Sequence, residues 1–252
     1  MKIATWNVNS IRVRYEQLVN FLQNHDIDVI LLQELKCQTK AFPSEQFEDI
    51  GYNCAVFGQK TYNGVAILSK YLIEDIIFGS EIFDDDEQAR YIEAFINGFK
   101  IASVYVPNGQ SVELPAYQYK LKFLEKLKNH LSKSIQNEDF IIGGDFNIAR
   151  SDIDVYNPKA WKDKVCCTDI EREKFEEILD IGFCDMHREI SGSNPIYTWW
   201  DYRHMGFPKN YGLRLDYILS TKNIKIKSCN VDLETRALKQ PSDHAPIIME
   251  TL

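Results

Sequence analysis

Long hydrophobic runs are absent from this sequence of 252 residues, and their absence excludes one large class of protein. A membrane-spanning helix needs roughly 20 consecutive apolar residues, and no run approaches that length. The opening stretch, MKIATWNVNS, lacks both the basic region and the apolar region of a signal peptide. The sequence therefore predicts a soluble, uncleaved protein of the cytoplasm with no membrane partner.

The motifs of several common chemistries are also missing. The sequence contains no GxSxG nucleophile motif, no GxxxxGK[ST] phosphate loop and no GxGxxG dinucleotide motif. Its six cysteines form no CxxC pair, and the adjacent Cys166 and Cys167 disfavour a disulfide framework. Covalent catalysis and nucleotide cofactors are therefore disfavoured, whereas a metal ion, a carboxylate base and water remain possible means of catalysis.

Positive charge is scarce, with 29 Lys and Arg residues against 37 Asp and Glu residues and a net charge of −8. A protein that coats nucleic acid by bulk attraction is usually basic. An acidic protein can still bind phosphates if divalent cations occupy its carboxylates and its basic residues are gathered on one face. The net charge therefore leaves a nucleic-acid substrate open.

Two segments of the chain share a strand, helix, strand pattern. The first lies near residues 3–33 and the second near 101–146, and each ends in an acid, Glu34 or Asp145. The runs DVILLQE and FIIGG are continuously apolar, as expected for strands that are covered on both faces. The pattern predicts a layered α/β protein of two similar halves, and the absence of a linker rich in Gly, Pro or Ser favours a single domain over residues 1–252.

A third helix is predicted after Thr168. Glu171 lies three residues further on, which is the spacing of a capping box, and apolar residues then recur at helical spacing as far as Gly182. A longer helix with an apolar stripe is predicted between Tyr117 and Ile135.

Polar residues end or interrupt the apolar runs at six places, where the strands of a layered α/β protein commonly carry ligand sites. They are Asn7, Glu34, Asn108, Asp145 with Asn147, Asp216, and Asp243 with His244. Carboxylate and amide oxygens suit Mg²⁺ or Mn²⁺, and Glu34 is the first candidate ligand. Gly143 and Gly144 allow the backbone before Asp145 to pass close to a neighbour.

Asp243 and His244 are adjacent, so in an extended segment their side chains point in opposite directions. If His244 works at the site, another carboxylate should hold it and favour its charged form. Asp216, which interrupts the apolar strand LRLDYIL, is the expected partner.

Eight motifs of the sequence resemble those of the exonuclease III family of apurinic/apyrimidinic (AP) endonucleases and occur in the same order. They are TWNVNSIR, LLQELKC, YNGVAILS, VYVPNG, GGDFNIA, TWWDYR, GLRLDYILS and PSDHAP. The shorter motifs occur throughout the endonuclease/exonuclease/phosphatase superfamily, whereas TWWDYR with GLRLDY points to the DNA-repair branch. The resemblance implies a four-layer α/β/β/α sandwich of two similar halves, with the active site between them.

The resemblance also implies roles for individual residues. Glu34, Asn7 and Asp243 would form or border the Mg²⁺ site, for which Mn²⁺ is a possible substitute. Asp145 would orient or deprotonate the attacking water, helped by Asn147, while Asp216 would orient His244. The implied phosphate contacts are Tyr105, Asn108 and His244.

Two further groups of residues would bind DNA. Trp199, Leu213 and Leu215 resemble an apolar pocket for a base-free sugar that is flipped from the helix. The basic residues that could face DNA are Arg203 and Lys36, together with Arg12, Arg90, Lys120, Lys209 and Arg214.

The implied activity is hydrolysis of the phosphodiester on the 5′ side of abasic sites in double-stranded DNA. Exonuclease activity from 3′ to 5′ and 3′-phosphatase activity would accompany it, on DNA with blocked 3′ ends, and the expected enzyme is a monomer. Ala116 stands where many bacterial members have Lys, which predicts a low ratio of exonuclease to endonuclease activity. One alternative is a phosphoesterase of the same superfamily that acts on another substrate. The other is a binding module that has kept the fold and lost the activity. Such a module would be expected to lack some of the residues Glu34, Asp145, Asp216, Asp243 and His244, all of which are present.

Overall fold

A computed structural model describes residues 1–83, 86–135 and 138–252. The strands in these ranges are β1 Lys2–Asn7, β2 Val29–Gln33, β3 Asn53–Phe57, β4 Val65–Ser69, β5 Glu74–Phe78, β6 Tyr91–Ile96, β7 Phe99–Tyr105, β8 Phe140–Asp145, β9 Phe183–Asp185, β10 Trp199–Trp200, β11 Gly212–Leu213, β12 Asp216–Thr221, β13 Ile226–Val231 and β14 Ile247–Thr251.

The helices are α1 Ile11–His25, α2 Ser44–Glu48, α3 Gly79–Ile82, α4 Pro115–Ser134, α5 Pro158–Trp161, α6 Asp169–Asp180, α7 Met186–Ser191 and α8 Leu233–Arg236, with 3-10 turns at Thr39–Ala41, Asp152–Asp154 and Arg203–Met205. Both predicted helices are confirmed as α4 and α6. The capping box at Thr168 and Glu171 is formed as predicted. Among the described residues, no helix has both the length and the apolar character needed to cross a membrane.

Two six-stranded sheets form the centre of the fold. Their strand orders are β13-β14-β1-β2-β4-β3 and β5-β6-β7-β8-β12-β9. Each sheet contains a parallel pair connected through a helix, β1 with β2 through α1 and β7 with β8 through α4. The repeat that the sequence predicted is therefore confirmed as two similar strand, helix, strand units, one in each sheet.

Alternation along the strands explains why the sheets stack in four layers. In β2, Val29 and Leu31 pack between the two sheets, whereas Ile30 and Leu32 pack under α1. In β8, Ile141 enters the layer between the sheets, while Phe140 and Ile142 pack under α4 and α6. Strands that carry apolar side chains on both faces need a second layer on each side. The predicted α/β/β/α sandwich is confirmed.

The strand register places three polar side chains in one row. Tyr105 ends β7, Asp145 ends β8 and Asp216 begins β12, and Asp145 is the direct neighbour of both other residues. In the other sheet, β1 ends at Asn7 and Glu34 follows β2. Because the two parallel pairs end at the same side of the sandwich, the acids that close both repeats converge there.

Gly144 permits the close contact between β8 and β7. A Cβ atom at position 144 would lie 1.9 Å from the Val104 carbonyl oxygen, which belongs to the backbone and cannot move aside. At Gly143 an added Cβ would meet the Leu31 Cδ1 atom at 2.8 Å, which is the flexible end of a side chain. The predicted close approach of the backbone at these glycines is confirmed.

Replacing Gly144 with Ala is expected to lower the free energy of unfolding by about 3 kcal/mol or more, because β8 must move away from β7. Gly143→Ala is the matched control and should cost clearly less, since Leu31 can change its rotamer. Urea unfolding of both variants measures the difference. Equal losses at the two positions would contradict this account of the β7–β8 contact.

Candidate active site

A cleft opens where the two parallel pairs end, and most of the predicted site residues line it. Its walls are formed by Glu34, Tyr105, Asn108, Asp145, Asn147, Trp161, Val165, Cys166, Trp199, Asp201, Arg203, Leu213, Leu215, Asp243 and His244. Strand ends supply the polar side of the cleft. The apolar side comes from the segment before α6 and from β10 and β11.

Asn7 connects the acids that close the two repeats. Its Nδ2 atom donates hydrogen bonds to Glu34 Oε1 at 2.8 Å and to Asp145 Oδ2 at 3.0 Å. Its Oδ1 atom accepts from the Asn9 backbone amide at 3.0 Å, which fixes the orientation of the side chain. Asn7 thus positions both carboxylates by donating to them, whereas the sequence predicted it as a residue of the metal site.

His244 lies between two acids. Its Nδ1 atom is 2.8 Å from Asp216 Oδ2, and its Nε2 atom is 3.6 Å from Asp145 Oδ2. Thr198 also donates to Asp216 Oδ2 at 2.6 Å and so fixes the carboxylate that holds the histidine. The structure brings Asp216 and His244 together as the sequence predicted.

The charges of this group are interdependent. Burial lowers the pKa of His244, but the Asp216 and Asp145 carboxylates outweigh burial and raise the pKa to about 10. Burial raises the pKa of Asp145 to about 7, with Asp216 and Glu34 acting in the same direction against His244 and Asn7. His244 is therefore an imidazolium at neutral pH, and the site holds more negative charge than its own residues compensate.

Tyr105 supplies a hydroxyl at the same row of the sheet. Burial raises the pKa of its phenol well above the usual range, and the Glu34 and Asp145 carboxylates raise it further. The phenol therefore keeps its proton at neutral pH and can donate a hydrogen bond into the cleft.

Asn147 and Asn108 are joined to each other and to Asp145. The Asn147 backbone amide donates to Asp145 Oδ1 at 2.9 Å, and Asn147 Nδ2 donates to the Val106 carbonyl at 2.9 Å. Asn108 Nδ2 donates to Asn147 Oδ1 at 2.9 Å. Asn147 adopts a left-handed conformation with φ 51°. The chain therefore turns sharply after Asp145, and the Asn147 backbone amide points back toward the Asp145 carboxylate.

The predicted apolar pocket is formed by Trp199, Leu213 and Leu215, all of which line the cleft. Trp199 and Leu213 are direct partners in the β10–β11 ladder. The sequence prediction missed Trp161, Val165 and Cys166, which complete the pocket from the end of α5 and the loop between α5 and α6. That segment has no periodicity, and only the edge-to-face packing of Trp161 on Trp199 in the folded chain reveals its contribution.

Asp243 points away from His244, as predicted for adjacent residues. Its carboxylate accepts from Asn9 Nδ2 at 2.8 Å and from Trp199 Nε1 at 3.0 Å. The sequence prediction missed Asn9, which also accepts from the Lys36 ammonium. Asn9 belongs to the motif TWNVNSIR, but nothing in the sequence indicates which partners it would have.

The predicted DNA-facing basic residues fall into two groups. Arg12, Arg203 and Lys209 are exposed, and Lys36 and Arg90 are partly exposed. Arg203 pairs with Asp201 at the rim of the cleft, and Lys36 Nζ lies 2.9 Å from Glu34 Oε2. These positions are compatible with contacts to phosphates at the edge of the site.

The prediction was wrong for Lys120 and Arg214. The Lys120 side chain is 0% exposed and pairs with Glu171, and the Arg214 side chain is 1% exposed and pairs with Asp154 and Asp185. Charges that are buried with acid partners cannot face DNA. Their acid partners lie far away in sequence, so the burial of Lys120 and Arg214 could not be predicted from the sequence.

A group suited to a metal ion is present at the centre of the cleft. Ligand atoms of Glu34, Asp145 and His244 lie within 4.8 Å of one another. A protonated His244 cannot ligate a cation, which leaves the two carboxylates, and a hard divalent cation typically uses one or two. Burial is the main cause of the raised pKa of Asp145, with Asp216 and Glu34 acting in the same direction, and a bound cation would offset the repulsion between these carboxylates. Asp243 lies outside this group of three but lines the same cleft, where its oxygens accept from Asn9 and Trp199.

Carboxylates for a cation, donors for phosphate oxygens and an acid that can orient water meet in this cleft. Those are the requirements of a metal-dependent phosphoester hydrolase. The family described as "Endonuclease/Exonuclease/phosphatase family" matches residues 4–244. The chain belongs to the endonuclease/exonuclease/phosphatase family.

Individual relatives resemble the chain over its full length. Exodeoxyribonuclease III of Haemophilus influenzae is 35% identical over 268 residues, which cover 99% of this chain and 99% of the relative. Among solved structures, the 3′ phosphatase NExo from Neisseria, bound to a product DNA hairpin, has a TM-score of 0.98 at 40% identity and covers 100% of this chain and 99% of its own. An AP endonuclease from Archaeoglobus fulgidus has a TM-score of 0.96 at 37% identity, with 100% of this chain and 99% of that chain covered.

Proposed function

We propose that this chain is a DNA repair nuclease that hydrolyses the phosphodiester on the 5′ side of abasic sites in double-stranded DNA. The observation that carries the proposal is the position of the apolar pocket directly beside the acid and histidine group. Trp199, Leu213 and Leu215 can contact a base-free sugar while its 5′ phosphate reaches Asp145 and His244. Trp161 packs edge-to-face against Trp199 in this pocket, and we propose that the pocket excludes a sugar that still carries a base.

The residues of the cleft divide the chemistry between them. Asp145 is held by the Asn7 side chain and the Asn147 amide, so its carboxylate is oriented to accept a proton from the attacking water. The His244 imidazolium and the Tyr105 hydroxyl can donate to the non-bridging phosphate oxygens, where charge increases in the transition state. Asp216 keeps the His244 ring in one orientation and in its charged form.

A divalent cation, which we propose to be Mg²⁺ with Mn²⁺ as a substitute, would be held by Glu34 and Asp145. When bound, it supplies positive charge to the phosphate and leaving oxygens. Asn7 and Lys36 both contact Glu34, and their role would be to keep that carboxylate directed toward the cation.

The same site can act at 3′ ends. The relative NExo is named a 3′ phosphatase, and a second structure of it is named a 3′-5′ exonuclease. We propose these activities for this chain as well, at blocked 3′ ends of duplex DNA, with the exonuclease as the weaker activity. We also propose that residues 1–252 act as a single domain and a monomer.

Metal removal is expected to abolish the activity. A duplex with one abasic-site analogue should be cut in Mg²⁺ and remain intact in EDTA, and excess Mg²⁺ should restore cutting. Incision is followed on a denaturing gel, while binding of the same duplex is measured separately by fluorescence anisotropy. An absence of incision in Mg²⁺ would overturn the proposal, and incision that persists in EDTA would exclude a role for the cation.

A further inference from the structure

Lys120 of α4 and Glu171 of α6 form a salt bridge directly beneath the candidate active site. Both side chains are 0% exposed. A buried ion pair usually contributes no more stability than well-packed apolar residues of similar size. The contacts that this pair makes with the loops of the cleft suggest what else it does.

Lys120 contacts both loops that carry the amide side chains of the site. Its Nζ atom donates to the Asn147 carbonyl at 2.6 Å, to the Asn108 carbonyl at 3.2 Å and to the Glu171 carboxylate. An ammonium group has three protons to donate, so these contacts use all of them. A single buried side chain therefore joins the loop after β7 to the loop after β8.

Glu171 extends this connection to the apolar side of the cleft. Its Oε1 atom accepts from the Cys166 backbone amide at 2.9 Å as well as from Lys120. Its Oε2 atom accepts from the amide and the hydroxyl of Thr168 at 3.0 and 2.8 Å. The segment that carries Cys166 into the pocket is thereby fixed to the same ion pair as the two amide residues.

The pair also contacts two residues whose backbone is strained. Asn147 has φ 51° and Cys166 has φ 71°, both in the left-handed region, which asparagine tolerates better than most residues and which cysteine rarely adopts. Such conformations persist only where surrounding contacts hold them. Lys120 binds the carbonyl of Asn147 and Glu171 binds the amide of Cys166, so each contact is made by the strained residue's own backbone.

We propose that Lys120 and Glu171 are positioning residues that set the distance between the phosphate side and the sugar pocket of the active site. They touch neither the reacting phosphate nor the sugar, and act through Asn108, Asn147 and Cys166. The inference rests on the proposed function, because it assigns those residues to substrate. It replaces the interpretation of Lys120 as a DNA contact, which its burial excludes.

The test compares wild type with Lys120→Met and with the double variant Lys120→Met/Glu171→Gln. The double variant removes both charges, so no unpaired ion remains buried, and Gln still suits a capping box with Thr168. Lys128→Met is the matched control, because Lys128 also connects α4 to α6. Its Nζ atom lies 2.8 Å from Glu177 Oε2, and this pair is outside the cleft. Three properties are measured: incision kinetics, the melting temperature, and amide hydrogen exchange over residues 145–148 and 165–168.

In the double variant, kcat is expected to fall about 10- to 100-fold, since small displacements of positioning groups have effects of that size. KM and the melting temperature should stay close to wild type, and amide exchange should accelerate in both segments. Lys128→Met should match wild type in all three measurements. Unchanged kcat and unchanged amide exchange in the double variant would overturn the inference. A double variant that fails to fold would also overturn it, because the ion pair would then serve folding alone.

Failure of the proposed function has a different signature. Wild type and Lys128→Met would then both leave the abasic duplex intact. Amide exchange needs no substrate, so it would still report whether the ion pair holds the two loop segments.

Discussion

Replacing Asp145 with Asn is expected to lower kcat for incision by about 10³-fold, within the range for loss of a general base. The change keeps the size of the side chain and an oxygen that can accept from the Asn147 amide, but it removes the proton acceptor for the attacking water. Duplex binding measured without Mg²⁺ should change by no more than about threefold, since Asp145 then contacts neither the cation nor the phosphate, whose donors are other residues. Single-turnover kinetics and fluorescence anisotropy measure the two effects separately.

Folding is the control for this variant. Burial disfavours the charged form of Asp145, and Asp216 and Glu34 add to this against the attraction of His244, so a neutral side chain of the same size should not unfold the protein. A variant that retains incision near the wild-type rate would contradict the role of Asp145 in activating water. Loss of both incision and binding would instead indicate a structural role.

The second large effect concerns His244 and Asp216. His244→Gln should lower kcat about 10²- to 10³-fold, because a charged donor to the phosphate is lost. Asp216→Asn should lower it about 10- to 100-fold, as is usual for a group that orients another. Because Asp216 acts through His244, the double variant should be little slower than His244→Gln alone.

His130→Gln is the matched control for this cycle. His130 also pairs with a buried carboxylate, Glu93 at 2.7 Å, but it lies on α4 outside the cleft. Its replacement should leave incision unchanged. Fully additive losses for His244 and Asp216 would contradict the view that Asp216 works by holding the histidine.

Much of the site was predictable for two reasons. Functional residues of layered α/β proteins commonly lie at strand ends, and the alternation along a strand determines to which side each side chain points. Asp145 and Asp216 were predicted because each is a polar residue at an apolar run, and they are neighbours in the sheet. Tyr105, which completes the row, was predicted only from the family resemblance. The separation of Asp243 from His244 follows from the alternation of side chains in an extended segment. The two repeats were visible because each combines a strand, a helix and a second strand that ends in an acid.

The errors concern properties that depend on distant partners. Lys120 carries a charge, and charged side chains are usually exposed. Its burial depends on its partner Glu171, which lies on another helix. Asn7 was predicted as a residue of the metal site, but the sequence could not show that it reaches both acids through its Nδ2 atom. Trp161 ends the four-residue helix α5, which is too short for a periodicity to connect the sequence to a face of the pocket.

The most direct measurement of the central claim compares two duplexes that differ at a single nucleotide. One carries an abasic analogue and the other a normal nucleotide at the same position, and both are incubated with the wild-type chain in Mg²⁺. The account predicts one cut, on the 5′ side of the analogue, that leaves a 3′ hydroxyl, and no cut at the matched position of the intact duplex. Equal cutting of both duplexes, or hydrolysis of small phosphoesters while both duplexes stay intact, would contradict it.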